Sequence, residues 1–207
     1  MSRRTIAIAA ALSVLALGST MITANANPLA DNLFSSGVDN HIQGNYQGAI
    51  ADYTRAIEIN PQNVDAYYNR GLAKDDSGDY EGAIADYTKA IEINPELAIA
   101  YTNRGNSKNK LGDYQGAIAD YIKALEIKPK DANAYYNRGI AKYNLKDYQG
   151  AIADYNKALE INPQYAISYN NRGLAKGELK DYKGAIADYN KALEIDPDAA
   201  ISYNNRG

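Results

Sequence analysis

A period of 34 residues runs through this chain without an insertion or deletion, and no other feature limits its fold as tightly. Pro61, Pro95, Pro129, Pro163 and Pro197 keep it, as do the NRG triplets that begin at Asn69, Asn103, Asn137, Asn171 and Asn205. The GAIADY hexamers beginning at Gly48, Gly82, Gly116, Gly150 and Gly184 keep it too. Self-similarity at a fixed period of this size marks a repeat architecture. Cut on this register, the chain has five full units, 30–63, 64–97, 98–131, 132–165 and 166–199, and a sixth begun at 200–207. One such unit cannot cover its own apolar face, whereas stacked copies bury it against one another.

Each unit carries two helical patterns. In 79–94, Tyr80, Ala83, Ile84, Tyr87, Ala90 and Ile91 recur at spacings of three and four, which marks one face of a helix. Asp79 suits the N-cap, because its carboxylate accepts from amides left open in the first turn. Pro95 lacks an amide hydrogen and disfavours helix in Asn94, so the helix stops there. The earlier helix, about 64–77, carries Ala66, Tyr67, Gly71 and Ala73 and ends at Gly78. Glycine enters the left-handed conformation cheaply. Lys146 and Lys180 hold that place in the fourth and fifth units, so those turns are expected to be slightly strained.

Residues 1–26 are a different text. A basic start (MSRR), a 13-residue apolar run and the small residues around Ala24-Asn25-Ala26 read as a cleaved secretory signal peptide. The run is short of the roughly 20 residues of a membrane span, so no span is expected after cleavage. Its loss removes two Arg, leaving 20 basic against 25 acidic residues, a net charge of −5. The expectation is an exported chain, periplasmic, lumenal or secreted. An acidic balance is not the footprint of a nucleic-acid binder, so no nucleic-acid partner is expected. Without cysteine, disulfides and thiolate chemistry are excluded. His41 is the single histidine, and alone it makes neither a metal site nor an oriented base. No phosphate loop or nucleophile–base pair is present, so neither an enzyme nor a cofactor is expected.

Two short helices per 34 residues, small residues in fixed columns and a closing proline resemble the tetratricopeptide repeat over residues 30–207. The resemblance implies an all-α, right-handed α-solenoid of stacked helix-turn-helix repeats forming one domain over 27–207. It also implies a non-catalytic scaffold that binds a peptide or protein segment in a concave groove lined by the first helices. Two columns depart from the family pattern. Arg70, Arg104, Arg138, Arg172 and Arg206 stand where Leu is common, and Lys74, Lys108, Lys142 and Lys176 where Tyr is common. The family's small–large packing is met by Gly71 against Ala83 and Tyr87, so Gly71→Leu should overpack that contact by about 1–3 kcal/mol.

A packed arginine needs a carboxylate, and the recurring acid is the Asp of IADY: Asp52, Asp86, Asp120, Asp154 and Asp188. Pairing inside each unit leaves Asp52 facing Ser36 and Arg206 without a partner. Pairing with the preceding unit matches all five, Asp52–Arg70 through Asp188–Arg206, so structural ion pairs that join neighbouring units are expected. The lysine column reads as a solvated face with its stems over tyrosine rings.

For the groove, the resemblance points to Asn69, Asn103, Asn137 and Asn171, with Tyr68, Tyr136, Asn170 and Asn106 beside them. Two readings of this amide column stand side by side. It bonds the backbone of an extended ligand, or it braces neighbouring helices. The family's clamp for a terminal carboxylate is not expected, since only its Asn recurs. The degenerate first unit is typical of a solenoid end. The stop within a helix at NNRG suggests a piece of a longer array, or an open end for homo-association, which is the alternative structural function.

Overall fold

The computed structural model describes residues 27–197. The signal-peptide reading of 1–26 and the begun sixth repeat, with Arg206, lie outside the described residues. Among the described residues there are ten α-helices and no strand. They fall into two compact units that meet in sequence between Pro95 and Glu96. The first unit holds α1 (Pro28–Ile42), α2 (Tyr46–Ile59), α3 (Val64–Ser77) and α4 (Tyr80–Ile93). The second holds α5 (Ala98–Lys110), α6 (Tyr114–Ile127), α7 (Ala132–Asn144), α8 (Tyr148–Ile161), α9 (Ala166–Glu178) and α10 (Tyr182–Ile195). Inside each unit every helix packs on the next, and the first helices of adjacent repeats touch: α1 on α3, α5 on α7, α7 on α9.

The local signals explain the boundaries. Asp79, Asp113, Asp147 and Asp181 each accept the amide of the residue three further on, at 2.9 Å, and so cap α4, α6, α8 and α10. These second helices end at Ile or its equivalent two residues before the recurring proline. The turns between paired helices pass through one left-handed residue: Gly44, Gly78 and Gly112 at φ 78–89°, then Lys146 at 63° and Lys180 at 64°. A lysine there carries a Cβ into a region that glycine occupies at no cost. The strain expected at those two turns is present.

The core of each repeat is one tyrosine against one glycine. Tyr53, Tyr87, Tyr121, Tyr155 and Tyr189 are the buried rings of the second helices. A Cβ on Gly71 would lie 2.7 Å from Tyr87 Cε1, and Gly37, Gly105 and Gly139 stand the same way against Tyr53, Tyr121 and Tyr155. No side chain fits there unless the ring moves. Gly71→Leu is therefore expected to lower unfolding free energy by about 1–3 kcal/mol, read by denaturant titration. An unchanged midpoint would mean that the ring has somewhere else to go. Alanines complete the layer: Ala83 and Ala90 are fully buried, as are their counterparts in each repeat from Ala49 to Ala158. No helix among the described residues is long and apolar enough to cross a membrane.

Candidate functional site

The conspicuous side chains of the first helices divide into three groups, and the structure treats each differently. The arginine column comes first. Arg70 donates from Nε to Asp86 Oδ2 at 2.8 Å and from Nη2 to Oδ1 at 2.6 Å, a two-pronged contact inside one repeat. Arg104–Asp120, Arg138–Asp154 and Arg172–Asp188 repeat it. This corrects the expected pairing of each arginine with the Asp of the preceding repeat. The first helix returns antiparallel onto its own second helix, and that fold-back brings residues 16 apart face to face. Asp52 is not stranded, because Ser36 Oγ donates to it at 2.7 Å and Asn40 Nδ2 at 2.9 Å. Arg70 does reach the preceding repeat, through its remaining nitrogen: Nη1 donates to Thr54 Oγ1 at 3.0 Å. Arg172 Nη1 does the same to Asn156 Oδ1 at 2.6 Å. The tie between repeats exists, but its acceptor is neutral.

The lysine column is corrected as well. Lys74 Nζ lies 2.8 Å from Asp86 Oδ2, and Lys108, Lys142 and Lys176 lie at the same distance from Asp120, Asp154 and Asp188. Each of these carboxylates is about 95% buried or more and holds two cations on one helix face, four residues apart. The two departures from the family pattern are thus one feature, an Arg–Asp–Lys cluster repeated four times among the described residues. Each arginine also lies over a tyrosine one turn earlier, with Arg70 5.6 Å from the Tyr67 ring centre and Arg172 5.2 Å from that of Tyr169. The sequence reading of the lysines as a solvated face did not link them to the aspartates. The available signal was that the Arg and Lys columns fail together in the first repeat, at Ser36 and Asn40.

The amide and aromatic residues expected in the groove are drawn inward. Tyr68, Asn69, Tyr136 and Asn170 are more than nine-tenths buried, so the structure places them in the core rather than on a contact surface. The Tyr68 and Tyr87 rings lie 5.9 Å apart, and the Tyr136 ring lies 5.1 Å from Tyr165. Asn69 donates to Asp65 O one turn back in its own helix. Asn103, Asn106, Asn137 and Asn171 are half-buried. In the second unit Asn137 donates to Asn106 Oδ1 at 3.0 Å and Asn171 to the Tyr136 hydroxyl at 3.1 Å. Both bonds join first helices of adjacent repeats, so Asn137 and Asn171 brace neighbouring helices.

What remains open lies one turn further along. Ile140 and Tyr143 of α7, Leu174 and Asn171 of α9 and Tyr155 of α8 line an apolar hollow of about 110 Å³. Tyr155 is its buried floor, and burial pushes the phenol pKa up. The Tyr143 hydroxyl donates to Glu178 Oε1 at 3.4 Å at the rim, and its ring meets Tyr148 edge-on at 5.3 Å. Apolar walls with few fixed polar groups are the usual make-up of a binding site. Ile140, Leu174 and Tyr143 stood in the columns next to the amides in the sequence, but nothing there distinguished a hollow from a packed face.

The comparisons agree with this architecture. One family profile, described as TPR repeat, matches residues 40–74 and 105–146. Two described as tetratricopeptide repeat match 64–97, 132–165 and 166–199, and 86–119. A search of curated proteins gives no sequence match. Among solved structures, the MamA protein is 26% identical over 83% of this chain and 94% of its own, with a TM-score of 0.77. YrrB, described as a TPR protein with an unusual peptide-binding site, is 21% identical over 84% of this chain and 90% of its own, at 0.73. A tetratricopeptide repeat protein from Parabacteroides merdae is 23% identical over 87% of this chain and 72% of its own, at 0.79.

Proposed function

The chain belongs to the tetratricopeptide repeat family, and from that premise we propose that it is a non-catalytic scaffold holding a segment of another protein against the first helices of residues 96–207. The hollow of Ile140, Tyr143 and Leu174 carries this reading. Here two first helices leave apolar side chains partly uncovered around a concave surface, while the charged columns beside them are satisfied internally. The fold accommodates such a role, since YrrB shares it and carries a peptide-binding site. Residues 1–26, read as a signal peptide, put the partner in an exported compartment.

The test is substitution inside the hollow. Leu174→Lys places a charge where an apolar ligand group would sit and leaves the buried Tyr155–Gly139 contact alone. Proteins that co-purify with the full-length chain from its native compartment are expected to be lost with this variant, at unchanged helicity and melting temperature. If the same partners are recovered with equal yield, the hollow is not the site.

A further inference from the structure

We propose that the hollow reads an aliphatic side chain with a lysine or arginine close beside it, the cation being taken by Glu178. This rests on the scaffold reading above and adds the chemistry of the partner. The size of the hollow sets the first half. An apolar cavity of about 150 Å³ holds a benzene ring, and this one is about 110 Å³. One apolar side chain of modest bulk, such as leucine, isoleucine or methionine, fits. Its walls are Ile140, Leu174 and the rings of Tyr143 and Tyr155, with one amide, from Asn171, and that amide already donates to Tyr136.

Glu178 sets the second half. It is the last residue of α9 and exposed, and the Tyr143 hydroxyl at the hollow's edge donates to it. The Tyr148 ring of α8 meets that of Tyr143 edge-on at 5.3 Å and so steadies this donor. One neutral donor, the Tyr143 hydroxyl of α7, holds it without cancelling its charge, and a carboxylate offers about four lone-pair sites in all. Glu178 has no cationic partner among the described residues. Among the other exposed glutamates, Glu92, Glu126, Glu160 and Glu194 each pair with a lysine three residues earlier, whereas Glu58 and Glu81 form no ion pair among the described residues. Glu178 also stands outside the repeat consensus, where Asp76, Lys110 and Asn144 hold the corresponding places.

The nearest lysines of the first helices, Lys142 and Lys176, are committed to Asp154 and Asp188. Residues 96–207 hold 16 basic and 14 acidic side chains, close to balance. With exposed charges screened beyond about 8 Å, the local carboxylate decides what a ligand meets. A cation arriving there forms a charge-assisted hydrogen bond with a group already ordered, so little side-chain freedom is lost on binding.

The experiment pans a random peptide library, displayed on phage, against the full-length chain and its Glu178→Gln and Leu174→Lys variants. Wild type is expected to enrich an aliphatic residue within two positions of Lys or Arg. Glu178→Gln should keep the aliphatic preference and lose the basic one. Replacing the lysine of a selected peptide by norleucine should weaken binding by about 3–10-fold to wild type and not at all to Glu178→Gln. Aliphatic enrichment without a basic bias, or a bias that survives Glu178→Gln, overturns the assignment of Glu178 and leaves the hollow standing. Enrichment that survives Leu174→Lys, or no enrichment by wild type, overturns both.

Discussion

Asp120→Ala is expected to lower the stability of the chain by about 3–5 kcal/mol, the largest effect of any single polar substitution here. The carboxylate is 3% exposed and receives two nitrogens of Arg104 and the Nζ of Lys108. Removing it leaves two cations facing each other in a partly buried site with nothing to neutralise them. Asp52→Ala is a measured contrast. Asp52 is half-buried, and its partners Ser36 and Asn40 are neutral, so about 1 kcal/mol is expected. Reversing Asp120 to Arg should be relieved by Arg104→Asp and not by Arg138→Asp, since the pair lies within the repeat. Replacing the whole cluster, Arg104→Leu with Lys108→Tyr and Asp120→Ala, should recover most of the loss, because buried ion clusters are often matched by well-packed apolar groups. Denaturant midpoints read all six variants. Equal losses for Asp52→Ala and Asp120→Ala would mean that the buried charges contribute nothing beyond ordinary hydrogen bonds.

The sequence carried the helix boundaries because each is set locally. Asp79 caps Gly82, Pro95 follows the end of α4, and Gly78 turns left-handed, all within a few residues of where the signal is written. The Arg–Asp partnership was harder. Asp86 lies 16 residues after Arg70 and Asp52 lies 18 before it, so spacing alone favours neither. Counting matched partners chose the wrong one, because it treated Ser36 as no partner when its hydroxyl donates to Asp52. The groove positions failed for a different reason. Tyr68 lies between core and surface on its helix, and the Tyr87 ring 5.9 Å away decides the matter by covering it. Tyr136 is covered in the same way by Tyr155, 6.0 Å away, and by Tyr165. A periodic reading cannot see a neighbour from another helix. The hollow was legible only as a departure from the repeat, since Tyr143 and Glu178 replace different residues in every other unit.

Alkaline pH should unfold the chain cooperatively from about one unit above pH 10, near pH 11, by the same logic that makes its tyrosine core stable at neutral pH. Burial raises the phenol pKa of Tyr53, Tyr87, Tyr121 and Tyr155; nearby aspartates add to this at the first three, and the Tyr136 and Tyr143 phenols do so at Tyr155. An unfolded tyrosine titrates near 10.0. Below that value both states keep the proton and the core contributes its full stability. Above it the unfolded chain sheds protons that the folded chain retains, so stability falls as pH rises towards the folded values. One pH unit beyond 10 removes about 1.4 kcal/mol per buried phenol. Four of them remove about 5–6 kcal/mol, comparable with the about 5–15 kcal/mol that holds a domain together. Phenolate absorbance and helical circular dichroism should therefore change in one step. Tyr87→Phe sharpens the test, because the buried Tyr87 hydroxyl has no hydrogen-bond partner among the described residues and its removal sacrifices none. That variant should be at least as stable at neutral pH and should unfold at higher pH. Tyr121→Phe gives up the 2.8 Å bond to Asn106 and should lose about 1 kcal/mol at neutral pH before any alkaline gain appears. Phenolate appearing gradually while helicity persists would show that the rings are reachable by solvent, and the close tyrosine–glycine packing would not be the element that holds each repeat closed.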